Sequence, residues 1–279
     1  MIRLYKTSVA PVAEIDGQHY LLTNSKVWDE LINSDDLYSK LSDLINGLNP
    51  SDDAAEAAKS PLAPVGTQEI WAAGVTYYSS RLARMEESKD AGGGDFYSRV
   101  YEADRPELFY KSSYARARGP GNGVRIRKDS TWDVPEPEAT LFINSAGKIQ
   151  GYTIGNDMSS RSIEGVNPLY LPQAKNYDGA ASIGPCLLVL PNPIDLETTI
   201  SIEILRNGDV SFSGETKLTQ MKRTFEDLAG YLFRETSFPT GAFLMTGTGI
   251  VPGTDFTLQS GDDIRISIEN IGTLQNHVE

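Results

Sequence analysis

One cysteine, Cys186, and two histidines, His19 and His277, are all that 279 residues supply of the side chains on which much enzyme chemistry rests. A lone thiol cannot form a disulfide within the chain or build a zinc–thiolate cluster, and its setting in the apolar run SIGPCLLVL points to a buried, inert group. Both histidines lie near the termini, which argues against a Ser-His-Asp triad or an HExxH zinc motif in the body of the fold. Proton transfer in such a chain falls to carboxylates, lysines, tyrosine or a metal. Positive charge is scarce as well: 25 basic residues face 38 acidic ones, a net charge of −13, and no basic tract would follow a nucleic-acid backbone or an anionic membrane. No run approaches the ~20 apolar residues of a membrane span, and the opening MIRLYKTSVAPVAEIDGQHY has no charged-then-apolar leader pattern. A cytoplasmic protein without nucleic-acid or membrane partners is expected.

A hydrophobic content of 39% is enough for a sizeable core. Residues 1–65 read as a small N-terminal module: a strand-rich start with an Asp16-Gly17 hairpin turn, then the polar, partly helical SDDLYSKLSDLINGLNPSDDAAEAAKS. Residues 66–279 read as the catalytic domain, entered through PLAPVGTQEIW. Strand signals dominate there. VRIRKD and DIRISIENIG alternate, and TISIEILRNGDVSFSG carries an Asn207-Gly208 turn between two alternating runs. One later segment reads clearly as helix, with Met221, Phe225, Leu228 and Leu232 on one stripe. The fold class expected is α+β, mostly β. The glycine clusters AGGGDFY and GPGNGVRI lack the GK[ST] ending of a phosphate loop and read as turns or a loop.

The segment STWDVPEPEATLFI holds the strongest chemical signal. Proline disfavours helix for itself and its predecessor, so Glu136 and Glu138 sit on extended backbone with both carboxylates on one face. Either both face water on a stiff strand start, or a cation holds them. The next strand, IQGYTIG, ends at Asn156-Asp157, and a two-residue turn at Ala146-Gly147 would set Glu136 opposite Asp157. Three carboxylates at one strand end repel, and a divalent ion resolves the conflict. All-oxygen ligation without histidine or cysteine favours Mg²⁺, with Mn²⁺ or Ca²⁺ as alternatives, over zinc.

At this point the run WDVPEPEATLFINSAGKIQGYTIGNDMSSRSIEGVNPLYLPQAKNYDGAASIGP resembles the fumarylacetoacetate hydrolase superfamily, whose members carry Glu-x-Glu and then Asp before Ser-x-Arg as a Mg²⁺ site. With RPELFYK and GTGIVPGTDFTLQSGDDIRISIENIGTL added, the chain looks most like the 2-keto-3-deoxy-arabinonate or xylonate dehydratases, over residues 70–276. The resemblance implies a mixed β-sandwich roll, a homodimer or homotetramer, and Glu136, Glu138 and Asp157 as metal ligands. Where hydrolytic members carry a histidine and a glutamate that activate water, this chain has Ser80 and Ala83, with Glu86 or Glu87 the nearest substitutes. That departure counts against a hydrolase or decarboxylase of a diketo acid, the alternative activity. The activity implied is dehydration of a 2-keto-3-deoxy pentonate to 2,5-dioxopentanoate, through an enolate stabilised by the metal.

In the similar dehydratases the glutamate of Arg-Pro-Glu and the lysine of Pro-Gln-x-Lys carry the acid–base roles, here Glu107 and Lys175. From the residues alone, Glu107 reads rather as an ordinary strand carboxylate paired with Lys111, and Lys175, partly buried, as a neutraliser of the carboxylates that can also bind the substrate carboxylate or 2-oxo oxygen. Arg105, Lys111 and Arg161 are candidates for binding the substrate anion or for structural ion pairs. Thr246 and Thr248 lie in a Gly-rich loop that either holds substrate or makes a tight turn. Arg81 and Arg84, with MEESKDAGGGDFYSR, form either a lid or a solvated helix.

Overall fold

A computed structural model describes residues 1–25, 27–81 and 94–279. The readings of Ala83, Glu86 and Glu87 as water-activating positions, and of Arg84 as part of a lid, fall outside that set. The strands, in chain order, are β1 (Ile2–Tyr5), β2 (Val12–Ile15), β3 (Gln18–Leu21), β4 (Glu69–Gly74), β5 (Glu107–Ser113), β6 (Gly123–Val124), β7 (Asp133–Val134), β8 (Pro137–Ile143), β9 (Ile149–Asp157), β10 (Ser159–Ser160) and β11 (Ala181–Val189). They continue as β12 (Thr199–Arg206), β13 (Asp209–Lys217), β14 (Ala242–Met245), β15 (Asp263–Ile268) and β16 (Gly272–Val278).

Nine strands form one sheet in the order β3-β2-β1-β11-β9-β8-β14-β4-β5, and five form a second, β13-β12-β15-β16-β6. Period-two side chains give the large sheet two faces. One face, with Leu141, Ile143, Tyr152, Ile154, Leu188 and Leu244, packs on the alternating isoleucines 200, 202, 204, 264, 266 and 268 of the smaller sheet and on the Phe225–Leu232 helix. Its opposite face, with Phe142, Ile183, Leu187, Phe243 and Met245, packs on Trp28, Leu31, Ile32, Leu37 and Leu41 of the N-terminal helices. The sheet curls so that the chain beyond β5 reaches β11, where the Arg118 N–H donates to the Ala181 carbonyl at 2.8 Å. This is the mostly β, sandwich-like roll that the sequence leads one to expect.

The marked turns reverse the chain where expected. Asp16 and Gly17 have φ of 51° and 76°, Asn207 and Gly208 of 55° and 92°, the left-handed pair of a tight hairpin. Thr224 caps the Phe225–Leu232 helix by accepting from the Asp227 N–H at 3.1 Å. Two expectations change. VRIRKD is strand only at Gly123–Val124, because the Arg125 N–H bonds the Gly179 carbonyl and the chain then turns at Arg127. The region after β10 is more helical than its pattern suggests, with short helices at Arg161–Val166 and Leu171–Lys175 around a 3₁₀ turn at Pro168–Tyr170. Pro168 and Pro172 stand in the first positions of these pieces, where a missing N–H costs nothing.

Candidate metal and active site

The β8–β9 hairpin sets the centre of the site. The Glu136 N–H donates to the Asp157 carbonyl at 3.2 Å and the Asp157 N–H to the Glu136 carbonyl at 3.0 Å, so the two residues are direct partners. The expected facing pair forms by a different turn. Asn144 pairs with Lys148 around the three residues Ser145, Ala146 and Gly147, with Gly147 at φ 77° and the Asn144 side chain accepting from the Ala146 and Lys148 N–H groups. A register shift between Phe142 and Ile143 then restores the pairing that a two-residue turn would have produced.

Alternation puts Glu136 and Glu138 on one face of the β8 segment, beside Asp157. They are 4%, 1% and 1% exposed, respectively, and each offers an oxygen within 4.8 Å of the others. Gly155, opposite Glu138, yields its side-chain space to Thr140 and Met245: a Cβ there would lie 2.3 Å from Thr140 Oγ1 and 3.0 Å from Met245 Cγ.

Three buried cations surround the carboxylates. Lys175 Nζ donates to Glu136 Oε2 at 2.6 Å, Asp157 Oδ2 at 3.1 Å and Ser159 Oγ at 2.6 Å. Lys111 Nζ stands 2.5 Å from Asp157 Oδ1 and donates to the Met158 carbonyl at 2.9 Å. Arg161 Nη2 donates to Glu136 Oε1, and its Nη1 lies 3.6 Å from the buried carboxylate of Glu164. Glu138 instead accepts from the backbone N–H of Gly247 at 2.6 Å. Burial, and then the charges of Asp157 and Glu136, push the Glu138 carboxyl well above the ordinary carboxylate range, against the pull of Lys175 and the Gly247 N–H. Burial likewise lowers Lys111, opposed mainly by Asp157. A buried all-oxygen donor set in which one carboxylate lacks a cationic partner among the described residues fits a hard divalent ion.

The structure brings together Glu136, Glu138, Asp157, Lys111, Arg161 and Lys175. Lys175, at 0% exposure, is more deeply buried than its apolar approach suggests, and its ammonium lies 5.7 Å from the centre of the Phe109 ring. Lys111 pairs with Asp157, not with Glu107. Glu107 faces Gly74 across β5–β4, its carboxylate filling the space of an absent side chain, with Oε2 2.0 Å from where a Cβ would stand. That oxygen is buried and has no hydrogen-bond partner among the described residues. Thr246 Oγ1 donates to the Ala139 carbonyl and Thr248 Oγ1 to the Ile250 carbonyl, so both hydroxyls shape their loop, whose Gly247 N–H reaches Glu138. Arg81 binds Ser98 and Glu102 of the Gly94–Glu102 helix, and the exposed Arg105 lies over the Tyr231 ring. Ser80 bonds the Tyr77 backbone through both its donor and its acceptor. Sequence reasoning missed Ser159 and Glu164; both lie in SSRSIE, next to the Asp157 and Arg161 that it did find.

The family model for the fumarylacetoacetate (FAA) hydrolase C-terminal region matches residues 82–279. A probable 2-keto-3-deoxyxylonate dehydratase of Haloferax volcanii is 49% identical over 218 residues, covering 77% of this chain and 73% of the relative. A 2-dehydro-3-deoxy-D-arabinonate dehydratase of Saccharolobus solfataricus is 41% identical over 215 residues, covering 76% and 72%. Among solved structures, a 2-keto-3-deoxy-D-arabinonate dehydratase complexed with magnesium and 2,5-dioxopentanoate superposes with a TM-score of 0.83 at 32% identity, over 100% of this chain and 98% of that one. With its paired glutamates, its aspartate and its two-sheet roll all in the expected places, the chain belongs to the fumarylacetoacetate hydrolase family.

Proposed function

We propose that this protein is a Mg²⁺-dependent hydro-lyase that dehydrates a 2-keto-3-deoxy pentonate to 2,5-dioxopentanoate. The observation that carries the reading is the buried convergence of Glu136, Glu138 and Asp157, ringed by Lys111, Lys175 and Arg161, in a chain whose relatives bear that activity in their names. These three carboxylates would hold the ion, which supplies Lewis-acid polarisation of a 2-oxo group and so acidifies the neighbouring C3 hydrogens.

The remaining work belongs to the chain's own residues. Glu107, with its unpartnered carboxylate oxygen, takes the C3 proton. Lys175 sits between Glu136 and Asp157 and donates a proton or hydrogen bond as the C4 hydroxyl leaves as water. One water is lost in all, and tautomerisation of the resulting 2-oxo-3-ene, which moves a proton from C5 and one from its hydroxyl to C3 and C4, gives the C5 aldehyde with no change in overall oxidation state. Arg161 and Lys111 orient Glu136 and Asp157 through their ion pairs. Ser80 favours this reading over hydrolysis of a diketo acid, because its hydroxyl is spent on the Tyr77 backbone rather than on water. The exposed Val166, Leu169 and Tyr170, on the segment between Arg161 and Lys175, support a homodimer or homotetramer; light scattering measures it.

The test is direct assay of purified protein with Mg²⁺ on 2-keto-3-deoxy pentonates, the corresponding hexonates and acylpyruvates. Formation of a 2,5-dioxo acid from a pentonate is expected, lost on chelation. Preferential cleavage of an acylpyruvate would overturn the proposal in favour of the hydrolase.

A further inference from the structure

Just beyond β4, Val75 has φ 55°, a left-handed backbone that a β-branched residue seldom adopts. The strain carries the chain into Tyr77, whose side chain is 0% exposed and whose hydroxyl has no hydrogen-bond partner among the described residues. A buried hydroxyl left unbonded is unfavourable, and the surroundings make its position deliberate. Thr76 Oγ1 donates to the Thr246 carbonyl at 2.7 Å, and the Lys222 N–H to the Thr76 carbonyl at 2.9 Å. The Tyr77 ring lies on Gly249, where a Cβ would come within 2.6 Å of its Cδ1 and 2.9 Å of its Cε1.

That same loop holds Glu138, two residues earlier, through the Gly247 N–H at 2.6 Å. One loop therefore carries both the ring of Tyr77 and the carboxylate at the heart of the site. Burial and the Glu138 charge also raise the hydroxyl's ionisation above its ordinary range, which leaves it a proton-bearing donor at neutral pH.

We propose that the Tyr77 hydroxyl positions substrate, donating a hydrogen bond to an oxygen of the 2-oxo acid bound beside Glu138. This rests on the functional reading above and adds a binding group that the sequence did not single out. A strained, well-packed segment that ends in an unbonded donor is what a preformed ligand contact requires, and a tyrosine serving only the core would have bonded its hydroxyl there.

The two roles predict opposite results for Tyr77→Phe. The ring still packs on Gly249 and no native bond is lost, so the metal-free variant should unfold at the wild-type temperature or above. Mg²⁺ affinity, by calorimetry, should stay within about twofold. The affinity for pyruvate at saturating Mg²⁺ should fall roughly tenfold or more, the effect of one hydrogen bond to a charged group. An unchanged pyruvate affinity, or a metal-free variant that unfolds early or fails to fold, overturns the assignment. A wild type that turns over a 2-keto-3-deoxy pentonate beside a silent Tyr77→Phe removes the tyrosine alone. A wild type that binds Mg²⁺ but neither pyruvate nor any such acid removes the functional reading, and this inference with it.

Discussion

Lys175→Met removes a buried cation and keeps most of its volume. In the intact cluster four buried carboxylates, Glu136, Glu138, Asp157 and Glu164, face three buried cations, Lys111, Lys175 and Arg161. Without Lys175 the deficit of positive charge grows by one, Glu136 loses one of its described cationic partners and keeps Arg161, and Ser159 loses the Lys175 donor. Breaking a buried pair on one side costs about 3–5 kcal/mol. At roughly 2–4 °C per kcal/mol for a domain of this size, the metal-free variant should melt roughly 6–20 °C below the wild type. Mg²⁺ should reverse much of this, because a divalent ion supplies the missing charge. At 100 times its Kd it adds about 2.7 kcal/mol of stability, and the variant should gain more from the ion than the wild type does. Thermal melts with and without chelator measure both arms, and turnover should be absent throughout. A metal-free melt within about 2 °C of wild type, or one that Mg²⁺ leaves unmoved, would refute the view that lysine and metal serve the same carboxylates.

Glu107→Gln should bind Mg²⁺ and pyruvate normally yet lose turnover by roughly 10² or more; C3 deuterium exchange in D₂O at the wild-type rate would place the base elsewhere. Gly247→Ala forces a Cβ to 2.0 Å from Thr76 Oγ1 at a backbone φ of 92°, so it should displace the N–H from Glu138 and weaken Mg²⁺ binding; an unchanged calorimetric Kd would count against that bond. Burial pushes the Cys186 thiol up to about 12, so a thiol reagent should modify it only in denaturant, and labelling of the folded protein at pH 8 would contradict the packing. Since the unfolded thiol ionises at lower pH than the folded one, the thiol's contribution to stability is intact below about pH 8.5 and declines as pH rises towards the folded value.

Two adjacent strands and the prolines around Glu136 made the convergence of the three carboxylates legible, because a period of two and a single turn determine where such side chains meet. The turn itself was misread by one residue, and the compensating register shift at Phe142 left no mark in the sequence. Lys111 shows the other limit. Alternation along β5 pairs it with Glu107, yet the register shift between β4 and β5 leaves Lys111 opposite no residue, and the curl of the sheet carries it to Asp157. Lys175 reads as a lysine after an apolar stretch. Its complete burial depends on a five-residue helix opened by a proline, too short for any periodic signal. Gly74 and Gly247 look like turn residues in one dimension; their use is to let Glu107 and Thr76 occupy space that a side chain would take.

The strand order also has a consequence for how the molecule is made. β1, from the start of the chain, lies between the β2–β3 hairpin and β11, so the first strand completed must wait for Ala181–Val189 before its inner edge is covered. At the centre, the β8–β9 hairpin closes locally, but Gly247 secures Glu138 across 109 residues of sequence. Such non-local closure slows folding and leaves strand edges bare during synthesis. The carboxylates and their cations are therefore gathered early, while the N–H that holds Glu138 arrives only with the last third of the chain, which makes a hard cation in the medium a candidate aid to refolding as well as to turnover.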